Sequence, residues 1–276
     1  MRFNRRIRIL LGPLVLLASV YVARAIMVAT DNRTISTIEG DRSGYQTIAI
    51  FGASGTAGDG ILEAALADPD IETIQVITRR ATPRIDQGVA SGKVQMILHT
   101  DYTDYTAMRD RLADTDAVFW ALGTSSLGVD EETYARIHVA FPMRFVEAWV
   151  DVSTKPDKSF HYVSSSDISE DSSSMWARQK VRAEKSLSAF ADDRSLKVIA
   201  YRPDYIGPAR DEAHIGQDLL FWIFRPVGAA VRAAEIGRAM IEVSARGADF
   251  KNGDKLGTAS IIRYSDAYER LRRRRS

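Results

Sequence analysis

The residues best suited to chemistry are three glycines spaced three apart, Gly52, Gly55 and Gly58. Glycine has no Cβ, so it permits a sharp turn, lets backbone approach a pyrophosphate, and allows a helix to pack closely on a strand. A short apolar run, 47–51, precedes them, and residues 61–66 carry apolar side chains at helical spacing. The pattern predicts a buried strand, a glycine-rich turn and a helix. The alternative is an ordinary tight turn between strand and helix.

A dinucleotide would sit on this turn, because the free N–H groups at the start of a helix face phosphates. The turn lacks the Gly-Lys-Ser/Thr ending of a nucleotide-hydrolysing phosphate loop, and it is not a Gly-x-Ser-x-Gly nucleophile elbow. The residues that we expect to contact the cofactor here are Gly52, Ser54, Gly55, Thr56, Ala57 and Gly58.

A second strand is predicted over 72–78, and it ends at Arg79 and Arg80. In dinucleotide-binding folds the residue at this place reads the adenosine ribose. An acid there binds the 2′-hydroxyl of NAD, whereas arginine accommodates the 2′-phosphate of NADP. The sequence therefore favours NADP over NAD. The alternative is a solvent-facing arginine pair at a strand end.

Two further strand ends supply candidate contacts with the cofactor. Asp101 follows the third predicted strand, where it either reaches the adenine amino group or caps its own loop. Leu122 and Gly123 end the fourth predicted strand, and a glycine there would let backbone run beside the nicotinamide half.

Strands alternating with helices along the chain predict the α/β class. We expect a Rossmann-like, doubly wound parallel sheet with helices on both faces. After residue 214 the alternation is lost, which predicts a small C-terminal substrate or lid region. The 276 residues suffice for one main domain. The predicted segments are a hydrophobic anchor or signal segment (1–29), a linker (30–44), the dinucleotide-binding domain (45–269) and a basic tail (270–276).

The N-terminus combines arginines at positions 2, 5, 6 and 8 with an apolar run over 9–23. A bilayer crossing needs about 20 apolar residues, so the run fits a membrane anchor and a signal-peptide core equally well. Ala23-Arg24-Ala25 would serve as a signal cleavage site, and Met27 is an alternative start. We expect a membrane-associated protein with its cofactor domain in the cytoplasm. A signal peptide is the alternative for this segment.

Composition excludes several classes of site. There is no cysteine, hence no disulfide and no thiolate chemistry, and the four histidines lack the spacing of metal ligands. The formal net charge of +1 predicts no specific nucleic-acid partner. We expect the arginines of 270–276 to be a solvated tail. The expected partners are the dinucleotide and a small-molecule substrate, with oligomeric state open.

The sequence resembles the atypical short-chain dehydrogenases/reductases, in particular the Tat-interacting-protein-like and NmrA-like branch. The resemblance covers roughly residues 47–207. The matching motifs are the three glycines, Arg79-Arg80, Ala121-Leu122-Gly123-Thr124, Tyr162-Val163-Ser164-Ser165, Lys180 with Glu184, and Arg202-Pro203.

The resemblance implies an active site made of a serine, a tyrosine and a lysine. Ser164 or Ser165 matches the serine that orients the substrate oxygen, and Lys180 matches the lysine that holds the nicotinamide ribose and lowers the tyrosine's pKa. The tyrosine, four residues before the lysine, is replaced by Trp176. An indole N–H has no usable acidity near neutral pH. The phenols that could supply the proton instead are those of Tyr134, Tyr162, Tyr201 and Tyr205.

Two functions follow from the resemblance. The first is an NADPH-dependent oxidoreductase acting on a small or lipophilic carbonyl. The alternative, favoured by Trp176, is a catalytically impaired NADPH-binding regulatory or scaffold protein.

Overall fold

The computed structural model describes residues 5–36, 42–208 and 215–275. The strands are β1 (Thr47–Phe51), β2 (Thr73–Thr78), β3 (Val94–Leu98), β4 (Ala117–Trp120), β5 (Lys158–Val163), β6 (Leu196–Arg202), β7 (Tyr205–Gly207), β8 (Ala230–Arg232) and β9 (Asp254–Gly257). The helices are α1 (Arg5–Ala29), α2 (Thr56–Ala67), α3 (Pro83–Ala90), α4 (Arg109–Leu112), α5 (Glu131–Ala135), α6 (Phe141–Val152), α7 (Met175–Ala191), α8 (Ile215–Phe224), α9 (Ala233–Ala245) and α10 (Thr258–Arg275).

Seven of these strands form one parallel sheet in the order β3-β2-β1-β4-β5-β6-β9. The chain starts in the middle of the sheet, winds to one edge through β2 and β3, then returns past β1 to β4. Strand order reverses between β1 and β4, so the carboxyl ends of these strands border the crevice where such folds bind ligands. The expected doubly wound Rossmann-like fold is confirmed.

The sheet is covered on both faces, as β1 illustrates. Ile48 and Ile50 point into a core shared with α2, α9 and α10. Ala49 and Phe51 point into the opposite core, which is shared with α6 and α7. The alternation follows from the two-residue period of a strand. Phe51 stacks on Trp120 of β4 with ring centroids 4.3 Å apart. These two buried side chains pack together at the carboxyl ends of the two strands that border the crevice.

Helices α2 and α9 approach each other unusually closely, because glycines lie at their contact. A Cβ on Gly60 would stand 2.3 Å from the Cβ of Ala233. A Cβ on Gly237 would stand 2.8 Å from the Cβ of Ala64 and from the Cα of Ile61. Helix α9 therefore fixes the position of α2, whose first turn borders the crevice.

The C-terminal region differs from the sequence prediction in three ways. β7 and β8 form a separate two-stranded sheet, and β9 adds an edge strand to the main sheet beside β6. A four-residue polar edge strand gives little alternation to detect. The arginines at 270–275 continue helix α10 to Arg275 rather than starting a separate tail. Arg275 also pairs with Asp70, at 3.0 Å.

Three helical segments were missed or drawn wrongly from the sequence. α3 is short, begins at Pro83, and is capped by the Thr82 hydroxyl, which accepts a hydrogen bond from the Ile85 N–H. The sequence predicts a helix over 105–112, but the structure has a 3₁₀ turn followed by the four residues of α4. Apolar residues at helical spacing predict one long helix over 131–150; it is present, but five residues, Arg136–Ala140, form a π-helical turn between α5 and α6.

Helix α1 rests against the C-terminal region. The Tyr21 hydroxyl donates to the carbonyl oxygen of Ile223 at 2.9 Å, and Arg24 Nε donates to that of Val227 at 3.0 Å. Within the described ranges, no helix combines the length and the apolarity needed to cross a bilayer.

Candidate functional site

The glycine turn requires glycine at two positions for steric reasons. Gly52 has φ +80°, and a Cβ there would stand 2.5 Å from the carbonyl carbon of Ala121. A Cβ on Gly58 would stand 2.0 Å from the Gly52 carbonyl oxygen. Gly55 differs, because its nearest neighbour would be 3.5 Å away. It begins α2 as the N-cap without a side-chain cap. The N-cap residue therefore supplies no side-chain acceptor to the N–H groups of the first turn of α2.

A cleft of about 460 Å³ opens beside this helix start. The sequence-predicted residues that line it are Gly55, Thr56, Ala57, Leu122, Gly123, Ser164, Ser165 and Lys180. The other lining residues include Thr124, Tyr134, His138 and Trp176. The structure thus brings the glycine turn, the end of β4, the end of β5 and the start of α7 to one cavity.

Lys180 and Ser164 lie in the cleft wall. Lys180 Nζ donates to the Val163 carbonyl oxygen at 2.9 Å and lies 4.9 Å from the centre of the Tyr162 ring. Burial lowers the pKa of Lys180 to about 8, against the charge of Glu184. Glu184 is itself bound by Arg202, whose Nε donates at 2.9 Å. The Ser164 hydroxyl is buried and has no hydrogen-bond partner among the described residues.

The π-helical turn shapes the opposite wall. Pro142 lacks an N–H and cannot bond the carbonyl four residues earlier, which is that of His138. The His138 carbonyl instead accepts a hydrogen bond from the hydroxyl of Tyr162, at 3.1 Å. Such a turn inside a helix commonly marks a functional site. Here it widens the helix at the cleft and engages the Tyr162 phenol in a structural bond.

The imidazole of His138 is buried in the same wall. Its Nε2 lies 3.2 Å from both the N and the O of Thr124, and a Cβ on Gly123 would stand 2.7 Å from its Cε1. The ring therefore fixes the loop after β4. Nδ1 has no partner among the residues that the structure describes. Burial, together with the charge of Lys180, lowers the pKa of His138 to about 3, so the ring is neutral at physiological pH.

Of the four tyrosines that the sequence leaves as candidate proton donors, only Tyr134 lines this cleft. Tyr162 is bonded as described, the Tyr201 hydroxyl pairs with His161 at 2.9 Å, and the Tyr205 hydroxyl donates to the Gln217 carbonyl at 3.2 Å. Tyr134 stacks on His138 with centroids 4.0 Å apart, and within the described part of the chain no hydrogen bond engages its hydroxyl. Burial raises its pKa to about 12.

A second cavity of about 440 Å³ adjoins the first and shares Leu122, Gly123 and Thr124 with it. It is lined by Arg79 and Asp101. Asp101 accepts hydrogen bonds from the N–H and hydroxyl of Thr103 at 3.0 and 2.5 Å, so it caps its loop while facing the cavity.

Ser54 and Arg80 line neither of these two cavities. Arg80 instead exchanges main-chain bonds with the Thr78 hydroxyl, its carbonyl accepting at 2.8 Å. His138 is a lining residue that the sequence did not single out, whereas Tyr134 is one of its four candidate phenols and Trp176 stands at the family's tyrosine position. Pro142 within a helical pattern is the sequence signal for the distorted turn that carries His138.

No group of three potential metal ligands occurs in the ranges 5–36, 42–208 and 215–275. His161 is a core residue, with Nδ1 bonded to the Tyr201 hydroxyl and Nε2 to Ser159 at 2.9 Å. The polar groups of the residues that line the cleft are hydroxyl, ammonium, imidazole, indole and backbone groups.

Comparison with known proteins extends these observations. No family model matches the chain. It is 25% identical over 217 residues to "Protein fmp52, mitochondrial" of Emericella nidulans, covering 78% of this chain and 85% of that protein. It is 27% identical over 189 residues to "Protein fmp52-1, mitochondrial" of Aspergillus terreus, covering 67% and 73%.

Solved structures give a likeness of fold. An oxidoreductase of the short-chain dehydrogenase/reductase family from Burkholderia thailandensis aligns with a TM-score of 0.61 at 17% identity, over 77% of this chain and 90% of that one. A 3-oxoacyl-[acyl-carrier protein] reductase from Brucella melitensis aligns with a TM-score of 0.60 at 15% identity, over 78% and 96%. The chain therefore has the Rossmann fold of the short-chain dehydrogenases/reductases, which confirms the resemblance seen in its sequence.

Proposed function

We propose that this protein binds a nicotinamide dinucleotide, NADP in preference to NAD, and acts as an oxidoreductase on a small or lipophilic carbonyl. The observation that carries the proposal is the pair of adjoining cavities at the glycine turn. One contains Arg79 and Asp101, suited to the adenosine half, and the other contains Ser164 and Lys180. Both sit where strand order reverses, the usual ligand crevice of this fold.

The chain's own groups suit a dinucleotide. The first N–H groups of α2, beginning at Thr56, suit a pyrophosphate. The buried, unpartnered hydroxyl of Ser164 and the ammonium of Lys180 suit the oxygens of a ribose and a substrate. The bound cofactor would supply a hydride. Ser164 and Ser165 would orient the substrate oxygen, and Trp176 would exclude water from one side of the cleft.

The alternative function is binding without catalysis, in a regulatory or scaffold role. Trp176 favours it, because an indole cannot exchange the proton that carbonyl reduction consumes. Titration of the purified full chain with NADPH and NADH, followed by cofactor oxidation against a panel of carbonyls, separates the two. Turnover supports the oxidoreductase. Binding with no turnover supports the regulatory role, and absence of binding would refute both.

The preference for NADP depends on Arg79, which faces the adenosine-side cavity. We expect Arg79→Ala to weaken NADPH binding about 10- to 100-fold, the worth of a charge-assisted hydrogen bond of about 1.5–3 kcal/mol. NADH binding should change less than threefold. Arg80→Ala is the matched control, because Arg80 lies outside that cavity. Equal losses for both cofactors would contradict the preference.

A lipid surface would suit the apolar face formed by α1 and α8. Its members are exposed on both helices: Leu14, Leu16, Leu17, Met27, Leu219 and Trp222. The arginines ahead of this face suit anionic headgroups. We therefore propose membrane-surface association through this face, with the cofactor domain on the cytoplasmic side.

The full chain should cosediment with phosphatidylglycerol vesicles. The double change Leu219→Ser and Trp222→Ser should reduce the bound fraction several-fold, since each side chain removes apolar area from water. Val89→Ser, an exposed apolar residue on α3, is the control. A bound fraction unaffected by the double change would remove α8 from the proposed surface.

A further inference from the structure

We propose that Tyr134 is the proton donor of the cleft, replacing the phenol that Trp176 displaced. This inference rests on the proposed oxidoreductase function and assigns the proton step to one residue. A donor must lie in the cleft, carry an exchangeable proton, and be free to bond a substrate. Tyr134 meets the first condition, since it lines the cavity together with Ser164, Lys180 and Trp176.

The other phenols near the site are committed to structural bonds. The Tyr162 hydroxyl satisfies the His138 carbonyl that Pro142 releases from the helix. The Tyr201 hydroxyl is fully buried against His161. The hydroxyl of Tyr134 has no such bond among the described residues, so a ligand oxygen can take that role without breaking the fold.

Two buried polar atoms of other residues that line this cleft also lack partners in the described chain. The hydroxyl of Ser164 and Nδ1 of His138 are both inaccessible to solvent and unbonded in the described chain. A buried polar group without a partner costs about 1–3 kcal/mol, so native proteins seldom leave one unless a water or ligand completes it. Both residues line the same cleft as Tyr134. Unpartnered groups on both walls therefore mark this cleft as the place where a polar ligand is received.

The stacked imidazole makes Tyr134 a rigid donor. His138 lies one turn along the helix, its ring 4.0 Å from that of Tyr134, and its Nε2 is fixed to the Thr124 backbone. His138 therefore acts as a positioning residue. The charged group that acts on His138 from the adjacent helix α7 is Lys180. Glu131, on the same helix as Tyr134, is bound by Arg178 and Gln179 of α7.

Tyr134 supplies the proton that a carbonyl oxygen takes up when it is reduced to an alcohol. When the substrate carbon gains a hydride, the electron pair of its C=O bond moves to oxygen. That oxygen takes the phenolic proton of Tyr134 to become the alcohol, and water reprotonates the phenolate. Because burial holds the pKa of Tyr134 near 12, the phenol is protonated at neutral pH and suits the reducing direction.

The experiment compares full-length native protein with Tyr134→Phe, Trp176→Tyr, the double variant, and Tyr264→Phe as the control remote from the cleft. NADPH affinity, turnover of the best carbonyl, and the NMR signals of ¹³Cζ-labelled tyrosines are measured for each. We expect Tyr134→Phe to lower kcat at least 100-fold, the usual worth of a positioned acid, with NADPH affinity within twofold. Trp176→Tyr should restore turnover in the Tyr134→Phe background.

The NMR signal lost in Tyr134→Phe should shift when NADPH is added, whether or not a substrate is known. An unshifted signal, or a kcat that Tyr134→Phe leaves unchanged, would overturn the proposal. Turnover that is seen only with Trp176→Tyr would also overturn it. In that case the native protein binds NADPH, but the phenol of Tyr134 does not donate the proton. A failure to bind NADPH would instead refute the proposed function itself.

Discussion

Replacing Gly58 by alanine should destroy both the glycine turn and NADPH binding. The added Cβ would stand 2.0 Å from the Gly52 carbonyl oxygen and 2.8 Å from the Ala53 nitrogen. Both are backbone atoms that cannot rotate away, so α2 must separate from β1. Overpacking of this severity costs more than about 3 kcal/mol. Thermal unfolding followed by circular dichroism and NADPH titration by fluorescence measure the two effects.

Gly55→Ala separates binding from folding. Its Cβ would meet nothing closer than 3.5 Å, and its φ of −110° suits alanine. The melting temperature should therefore stay near native, whereas NADPH binding should weaken more than about tenfold because the methyl group stands where a pyrophosphate approaches. Gly216→Ala, with open space around its Cβ, is the control for both. Native affinity in Gly55→Ala would remove the phosphates from this turn.

The sheet and the glycine turn could be predicted from the sequence because their causes are local. β1 and β4 are continuous apolar runs, as strands covered on both faces must be. The change from strand to helix periodicity at Gly52 is equally visible. The C-terminal region is harder to predict, because β9 is short and polar. Its pairing with β6 also depends on residues about 55 positions apart in the chain.

The site could be predicted only in part, because its missing members depend on tertiary contacts. Apolar spacing placed Tyr134 in the core of a helix, and burial bears this out, yet its hydroxyl borders a cleft that no local pattern shows. From the sequence alone, His138 within the predicted helix over 131–150 is most simply an ordinary helix histidine. That its Nδ1 has no partner in the described residues is visible only in the structure, where the loop after β4 occupies Nε2.

The position of α2, the helix that follows the glycine turn, depends on a buried ion-pair network at the C-terminal end of α9. Glu242 accepts from Nε of Arg246 at 2.7 Å and from Nη2 of Arg42 at 3.3 Å. Its side chain is 1% exposed, and those of the two arginines are 3% and 9% exposed. Arg42 precedes β1, while α9 packs on α2, so the network joins the chain entering the sheet to the helix that supports the turn.

Glu242→Gln should therefore destabilise the whole domain. The amide keeps the size of the side chain but removes the charge. Among the described residues, Arg42 and Arg246 then keep only their longer ion pairs, to Asp70 at 3.5 Å and to Asp249 at 3.9 Å. Breaking a buried pair in this way costs about 3–5 kcal/mol. Urea unfolding should give a free energy of unfolding lower by that amount.

The exposed ion pair of Glu269 is the matched control. The same change, glutamate to glutamine, is made there, but the side chain is exposed instead of buried. Glu269, 42% exposed, binds Arg238 at 3.2 Å on α9, and surface pairs contribute about 0–1 kcal/mol. Glu269→Gln should thus lower the free energy of unfolding by less than about 1 kcal/mol. At urea concentrations well below the unfolding midpoint, the NADPH affinity of Glu242→Gln should weaken only to the extent that α2 changes its position. Equal destabilisation by the two variants would show that burial of the network carries no special penalty.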